Sequence, residues 1–345
     1  MKAAVFEGIG KIVYRDVADP TLPPGSLLVK VMACGICGGD VRNFQYGLKD
    51  GVTGQIMGHE IAGEVIGTDA EFFDAGERVA LAPDVSCGNC YYCKRGLVNL
   101  CLSHKMLGTH YPGGFAQLLA VPKEILERGF IERIPKNMPF AYAAFAETAA
   151  AVIACQKRLG IGLGDRIAII GDGPVGCLHT EVARAGGVEK IALIGMDKLA
   201  LAEAFAPDHL LDNRRPETVI QAVRDMTEGI GADAVIVAVP SVKPLGQALS
   251  MVRKRGTVVI YGGVPKTDEI AAVNANHIHY NEISITGAFS YPRTGLADAL
   301  SAIAAGKIHP ERYIGSPIPL SDVLKGMKMI MEGQALKIIL DPWMG

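Results

Sequence analysis

Residues 167–176 read IAIIGDGPVG and run into CLHTEVARA at 177–185. A buried apolar run that breaks on G-x-G-x-x-G and passes into a helical pattern is the strand–turn–helix of a dinucleotide-binding unit. Gly171 makes the tight turn and Gly173 lets the backbone approach a pyrophosphate. Pro174 and Val175 start a helix whose amino end stabilises the anion, and Gly176 lets that helix pack close on the strand. The bland alternative is a glycine-rich turn with no ligand. Outward from this run, strands at 191–194, 234–239 and 257–261 alternate with helices at 175–185 and 199–205. That texture predicts a parallel, doubly wound sheet, and it fades after about Gly287. Upstream, the Ala-rich stretch 141–160 has a helical period and stops on Gly160, a helix-ending residue. Residues 1–147 are β-rich instead. Apolar runs at 27–32, 61–66, Arg78–Ala82 and 115–121 are separated by Gly, Pro and Asp, the spacing of a small antiparallel barrel or sandwich.

The chain has 345 residues, enough for about two domains. Apolar residues make up 49% and charged residues 20%, so global disorder is excluded. The formal net charge of -2 leaves no basic excess for nucleic acid. No uncharged apolar run approaches the ~18 residues of a membrane helix. The N-terminus MKAAVFEGIG has no apolar signal region, which predicts a cytoplasmic protein with reduced thiols. Eight Cys in such a compartment point to metal or catalysis before disulfides.

Cys87, Cys90, Cys93 and Cys101 lie within 15 residues. Four soft thiolates at this spacing can close a tetrahedral Zn²⁺ site with no open position. Disulfides and an iron–sulfur cluster are the alternatives; ferredoxin runs place the fourth Cys after three residues, followed by Pro, whereas here the gap is seven and Leu102 follows. A second donor set is Cys37 in a Gly-rich turn with His59 and Glu60. Thiolate, imidazole and carboxylate together suit a catalytic zinc that keeps an open position. Glu147 is a lone carboxylate in the apolar run AFAETAAAV. It is costly to bury unless paired or bound to metal, and its bland reading is a capping or salt-bridging Glu. The acid that dinucleotide sites place ~20 residues after the glycines is displaced. Gly195 stands in its usual place, Asp197 comes two residues late, and Lys198 could attract a 2′-phosphate. Asp197 alone tips the expectation to NAD over NADP.

Together CGICGGD (34–40), GHE (58–60), the four-Cys lobe, PGGFAQ (112–117), AET (146–148), GDGPVG (171–176), GAFSY (287–291) and LKIIL (336–340) resemble the zinc-dependent medium-chain dehydrogenase family, across essentially the whole chain. Glu147, where alcohol dehydrogenases of the family have Cys, and the FSY segment point to its sorbitol (polyol) dehydrogenase-like branch. The resemblance implies an α/β fold: a GroES-like β-barrel catalytic domain at 1–147 with a structural zinc lobe at 85–103, a Rossmann domain at 148–286, and a C-terminal return at 287–345. It implies two Zn²⁺ per chain. Cys37 and His59 are then ligands of the catalytic ion, with Glu60 and Glu147 sharing the remaining positions directly or through water. Tyr261, Gly262 and Gly263 flank the nicotinamide end, Ala288, Phe289 and Ser290 lie on its other side, and Tyr291 lines the substrate cleft. A homodimer or homotetramer acting on a small-molecule alcohol or ketone is implied as well.

The departures matter. The family's proton relay begins with Ser or Thr two residues after the zinc Cys and continues through a His; here these are Gly39 and Arg42. A polyol-binding Tyr is replaced by Asn43 and a polyol-binding Arg by Ser290. Metal and cofactor machinery is therefore retained while substrate contacts and proton exit are rebuilt, and Arg42 could anchor an anionic group. The alternatives are a branch acting on threonine or a small diol and, in another class, a non-catalytic dinucleotide-binding redox sensor.

Overall fold

Six parallel strands form one sheet, in the order His209–Asp212, Lys190–Gly195, Arg166–Ile170, Ala232–Val237, Val252–Ile260 and Ser284–Gly287. Counted along the chain this is 3-2-1-4-5-6, the doubly wound order of dinucleotide-binding sheets. Ile167, Ala168 and Ile169 are fully buried, as a strand covered on both faces requires. The helix that follows, Pro174–Ala185, has Gly173 as its cap residue and Pro174 in its first turn. A Cβ on Gly176 would overlap the Gly171 carbonyl oxygen, so the helix packs this closely only with glycine there. The computed structural model describes residues 1–265, 267 and 269–345, and they divide into two units, Met1–Ala151 with Tyr291–Gly345, and Val152–Ser290. The first boundary falls inside the helix Phe140–Leu159.

The other unit is built on a seven-stranded sheet. Its neighbours run Phe130–Arg133, Arg78–Ala82, Glu60–Thr68, Leu27–Ile36, Ile338–Asp341 and Ile318–Pro319, with Leu118–Val121 also pairing on Leu27–Ile36. The central strand Leu27–Ile36 therefore holds Glu60–Thr68 on one side and the nearly C-terminal Ile338–Asp341 on the other, both antiparallel. Leu27, Val29, Val31, Ile61, Val65, Val79 and Leu81 fill one continuous apolar core from these strands. A three-stranded sheet of Lys2–Gly8, Lys11–Asp16 and Gln55–Ile56 accompanies it. Among the described residues no helix is long and apolar enough to cross a membrane.

Two local expectations are corrected. The apolar run 115–121 is strand only over Leu118–Val121. The N–H groups of Gly113, Gly114 and Phe115 go instead to the carbonyls of Ile56, Gly58 and Met57, making a loop clasp rather than a strand end. The helix expected over 199–205 is α-helical only at Leu199–Ala202 and tightens into a 3₁₀ turn at Glu203–Phe205, which ends on Ala206 in the left-handed region at φ 46°.

His179, on the helix Pro174–Ala185, is fully buried. The Gln156 amide donates to the His179 carbonyl at 2.8 Å and lies 3.1 Å from Nδ1. The imidazole packs edge-on against Tyr261 with centroids 4.6 Å apart. With Nδ1 accepting from the amide the ring proton belongs on Nε2, which has no hydrogen-bond partner among the described residues. Burial pushes the pKa of His179 down to about 3, against 6.5 for a free His. Below ~6.5 the unfolded chain takes up a proton that the folded chain refuses until about 3, so this group removes stability as pH falls through that window. Between pH ~7.5 and ~5 the loss is about 2 kcal/mol. His179→Phe should lose less stability than wild type over that range by about this amount in urea unfolding. Equal pH slopes would show that His179 takes up its proton alike in the folded and unfolded chains.

Candidate active site

Cys37 caps the helix Gly38–Tyr46. Its Sγ accepts the Gly39 N–H at 3.4 Å, while the Asp40 carboxylate accepts the Cys37 N–H at 2.9 Å. This reciprocal cap fixes the thiol at a helix amino end, where a negative charge is favoured. The other oxygen of Asp40 lies 3.3 Å from His59 Nδ1, which leaves Nε2 as the free ligand atom. A carboxylate behind an imidazole is how metal-binding His is oriented. Burial opposes charge on His59, but Asp40 and the Cys37 thiol outweigh it and hold its pKa well above the usual value. Cys37, His59 and Glu60 offer ligand atoms that all lie within 4.8 Å of one another. The set fits a divalent cation of borderline softness such as zinc.

Glu60 is completely buried and does not stand alone. Lys337, 3% exposed, places Nζ 2.6 and 2.8 Å from its two oxygens, and Thr148 donates to it at 2.9 Å. These groups come from three elements: Glu60 from one neighbour of the central strand, Lys337 from the approach to its other neighbour, and Thr148 from the helix Phe140–Leu159. Gly35 sits between them on the central strand. A Cβ there would overlap the Glu60 carboxylate, so glycine at this position makes room for the buried acid. Glu147, half-buried on the same helix as Thr148, lies outside the 4.8 Å group and accepts instead from the Tyr291 hydroxyl at 3.1 Å. Partial burial pushes its pKa up to about 7; Glu60 and Asp84 push the same way, while His59 and Lys337 oppose them. Tyr291 is itself 1% exposed and stacks edge-on against Phe130. The structure thus finds Tyr291 behind Glu147, where the sequence reading had it lining a cleft.

The remaining substrate-side residues are spread along one helix. Arg42 is exposed, and Asn43 is half-buried with its carbonyl taken by the Gly47 N–H. A Cβ at Gly39 would begin 3.7 Å from Cys37 Sγ and 3.8 Å from His59 Cε1, so the missing hydroxyl would belong to this pocket.

The four-Cys lobe is gathered as its spacing predicts. The sulfurs of Cys87, Cys90, Cys93 and Cys101 lie within 4.8 Å of one another and none is in a disulfide. Backbone N–H groups of Cys87 and Ser103 point at Cys101 Sγ, at 3.2 and 3.4 Å. Those of Cys93 and Leu102 draw the Cys90 thiol down to about 6. Donors aimed at sulfur favour thiolate, the form that binds metal, although at Cys101 burial outweighs them and pushes the thiol up to about 12.

In the Val152–Ser290 unit, a cavity of about 370 Å³ opens where the order of the sheet reverses, between Arg166–Ile170 and Ala232–Val237. Gly171, Asp172, Gly195, Met196 and Asp197 line it. Asp197 is 80% exposed, with its carboxylate 3.7 Å from Arg214. Lys198 caps the short helix Leu199–Ala202. Tyr261 and Gly262 are pinned at the end of their strand by N–H bonds to the Val237 carbonyl, and Gly263 follows them. Ala288 donates to the Ile260 carbonyl, Phe289 is 58% exposed, and Ser290 holds a left-handed backbone at φ 51°. Sequence reading missed Asp40, Lys337 and Thr148. The Cys-x-x-Asp spacing of a capping box was a signal for the first; Lys337 and Thr148 stand inside quoted motifs but find Glu60 only in three dimensions.

Two family profiles match: the alcohol dehydrogenase GroES-like domain at residues 23–131 and the zinc-binding dehydrogenase domain at 174–305. Sorbitol dehydrogenase of Bacillus subtilis is 30% identical, aligned over 99% of this chain and 97% of that protein. D-arabitol-phosphate dehydrogenase of Enterococcus avium is 28% identical over 97% and 95%. Among solved structures, a zinc-binding dehydrogenase of Sinorhizobium meliloti bound to NADP superposes with a TM-score of 0.86 at 29% identity, over 99% of both chains.

Removing Lys337 would leave the Glu60 carboxylate buried with only Thr148. Lys337→Met should therefore cost roughly 3–5 kcal/mol in urea unfolding, and Lys337→Met with Glu60→Gln distinctly less. Equal losses in the two variants would show that the charges are not coupled.

Proposed function

Because this chain belongs to the zinc-dependent medium-chain dehydrogenases, in their polyol dehydrogenase branch, we propose that it moves a hydride between a secondary alcohol of a polyol or sugar-like substrate and a nicotinamide cofactor. The observation that carries the reading is the convergence of Cys37, His59 and Glu60 within 4.8 Å, backed by Asp40. When bound, zinc supplies Lewis-acid polarisation of the substrate oxygen, and the nicotinamide supplies the hydride acceptor. Cys37, His59 and Glu60 would hold the catalytic ion, and Cys87, Cys90, Cys93 and Cys101 a structural one, giving two Zn²⁺ per chain.

The chain's own residues have separable tasks. Lys337 neutralises Glu60, so the donor set does not confront its ion with an excess of unpaired carboxylates. Asp40 keeps His59 turned with Nε2 outward. Gly39 has no side chain to carry a proton, and a guanidinium such as that of Arg42 offers donors but no acceptor for one. Glu147, with a pKa near 7 and a hydroxyl donor on one oxygen, is the group suited to accept the alcohol proton. Arg42 then serves as a fixed cation for an anionic group. The arabitol-phosphate-acting relative makes a polyol phosphate the first substrate to try. The reading also carries NAD ahead of NADP, a cytoplasmic location, a homodimer or homotetramer, and neither nucleic acid nor membrane as partner. A non-catalytic redox sensor finds no support, since every relative named above is a dehydrogenase. Threonine and small diols remain as competing substrates in the same assay.

Elemental analysis should find two zinc ions per chain, with gentle chelation removing the open one first and abolishing turnover. One zinc, with turnover indifferent to chelator, would overturn the catalytic assignment. Glu147→Gln keeps an acceptor for Tyr291 but cannot take up a proton; it should lower turnover by about 100-fold or more while cofactor binding, followed by nicotinamide fluorescence, is retained. Wild-type turnover in that variant would move proton transfer elsewhere. Both are read in a screen of polyols, polyol phosphates, diols and threonine with each cofactor.

A further inference from the structure

The second strand of the parallel sheet, Lys190–Gly195, ends on glycine at the place where dinucleotide sites of this topology carry the acid that binds the adenosine ribose. The structure shows why no side chain stands there. A Cβ on Gly195 would overlap Cβ, Cγ and Oδ2 of Asp172. Asp172 is the second residue of the glycine motif, on the turn after the first strand. Its carboxylate crosses to the end of the second strand, where Oδ2 accepts the N–H groups of Met196 at 2.9 Å and Lys198 at 2.7 Å.

We propose that Asp172 is the residue that selects the cofactor, accepting a ribose hydroxyl of NAD and rejecting the 2′-phosphate of NADP. The proposal rests on the nicotinamide reading of this site. Three observations support it. Asp172 and Gly195 line the same cavity at the point where the sheet order reverses. Oδ1, which makes neither backbone bond, is the oxygen left for a hydroxyl donor. The two backbone N–H groups that a 2′-phosphate would need as donors are already used by a carboxylate whose charge repels it. The neighbouring candidates are engaged or turned outward. Asp197 is 80% exposed, and the Arg214 guanidinium is held by Asp212 at 2.9 Å and by the Met196 carbonyl at 2.7 Å. An acid delivered from the first turn thus replaces an acid on the second strand, and the two exclude each other sterically.

That exclusion defines the experiment. NADH and NADPH affinities are measured by nicotinamide fluorescence for wild type, Asp172→Gly, Asp172→Asn, Gly195→Asp, and Asp172→Gly combined with Gly195→Asp. Wild type should favour NADH by about tenfold or more. Asp172→Gly and Asp172→Asn should each shift the ratio toward NADPH by about tenfold. Gly195→Asp alone should weaken both cofactors, because its side chain meets Asp172, and the combined variant should recover NADH binding to within about threefold of wild type. If Asp172→Gly does not fold, Asp172→Asn, which keeps the shape and an acceptor for the backbone, decides alone. An unchanged ratio in the Asp172 variants, or a wild type that favours NADPH, overturns the proposal with the nicotinamide reading intact. A wild type that binds neither cofactor overturns both.

Discussion

The Lys337–Glu60 ion pair organises the catalytic unit. Its two charges are taken out of water at the central strand, where the missing side chain of Gly35 leaves room for the Glu60 carboxylate. Such a pair is weak evidence for stability, since desolvation consumes most of the attraction. Its value here is positional. Ile338–Asp341 must lie in one register on Leu27–Ile36 for the ammonium to reach the acid, and Thr148 must come from the helix that also carries Glu147. A slip of one residue in that strand would turn its side chains to the other face and carry Lys337, which leads into it, away from Glu60. Strand register, helix placement and the charge of the donor set are therefore one constraint.

Electrostatics carries the constraint into the pocket. Cys37, Asp40, Glu60 and Glu147 would be four acids around one imidazole. The fold separates them by giving each a different partner: the Gly39 N–H, the Cys37 N–H with His59, Lys337, and the Tyr291 hydroxyl. Glu147 has a neutral hydroxyl as its partner, and burial pushes its pKa up to about 7. A carboxyl group that titrates near neutrality is well placed for proton traffic.

What could be read from the chain follows the range of the interactions. The strand–glycine–helix of 167–185 and the spacing of the four Cys are local, and both appear where the sequence places them. The role of Lys337 was hidden because its partner lies 277 residues away. The divided duty of Glu60 and Glu147 was hidden for a similar reason: two carboxylates that look equivalent as letters are told apart by an ammonium and a phenol from distant segments. Gly195 read as a missing acid, whereas in space it is the mark of another acid already in place. Residues 115–117 looked like strand because they are apolar, but the loop clasp at 113–115 had claimed the backbone donors.

The order in which the two units are written into the chain has a consequence for their making. Val152–Ser290 is continuous, so all of it has emerged from the ribosome before the catalytic unit is complete. The catalytic unit is interrupted after Ala151 and lacks its ammonium until Lys337 is added. At about 5–20 residues per second that wait is roughly 10–40 s, during which Glu60 has no Lys337 to meet it and the Cys34–Ile36 end of the central strand lacks its Ile338–Asp341 partner. The nascent nucleotide-binding unit can settle in that interval, and the arrival of Lys337 with Ile338–Asp341 then extends the sheet and neutralises its buried acid in one step.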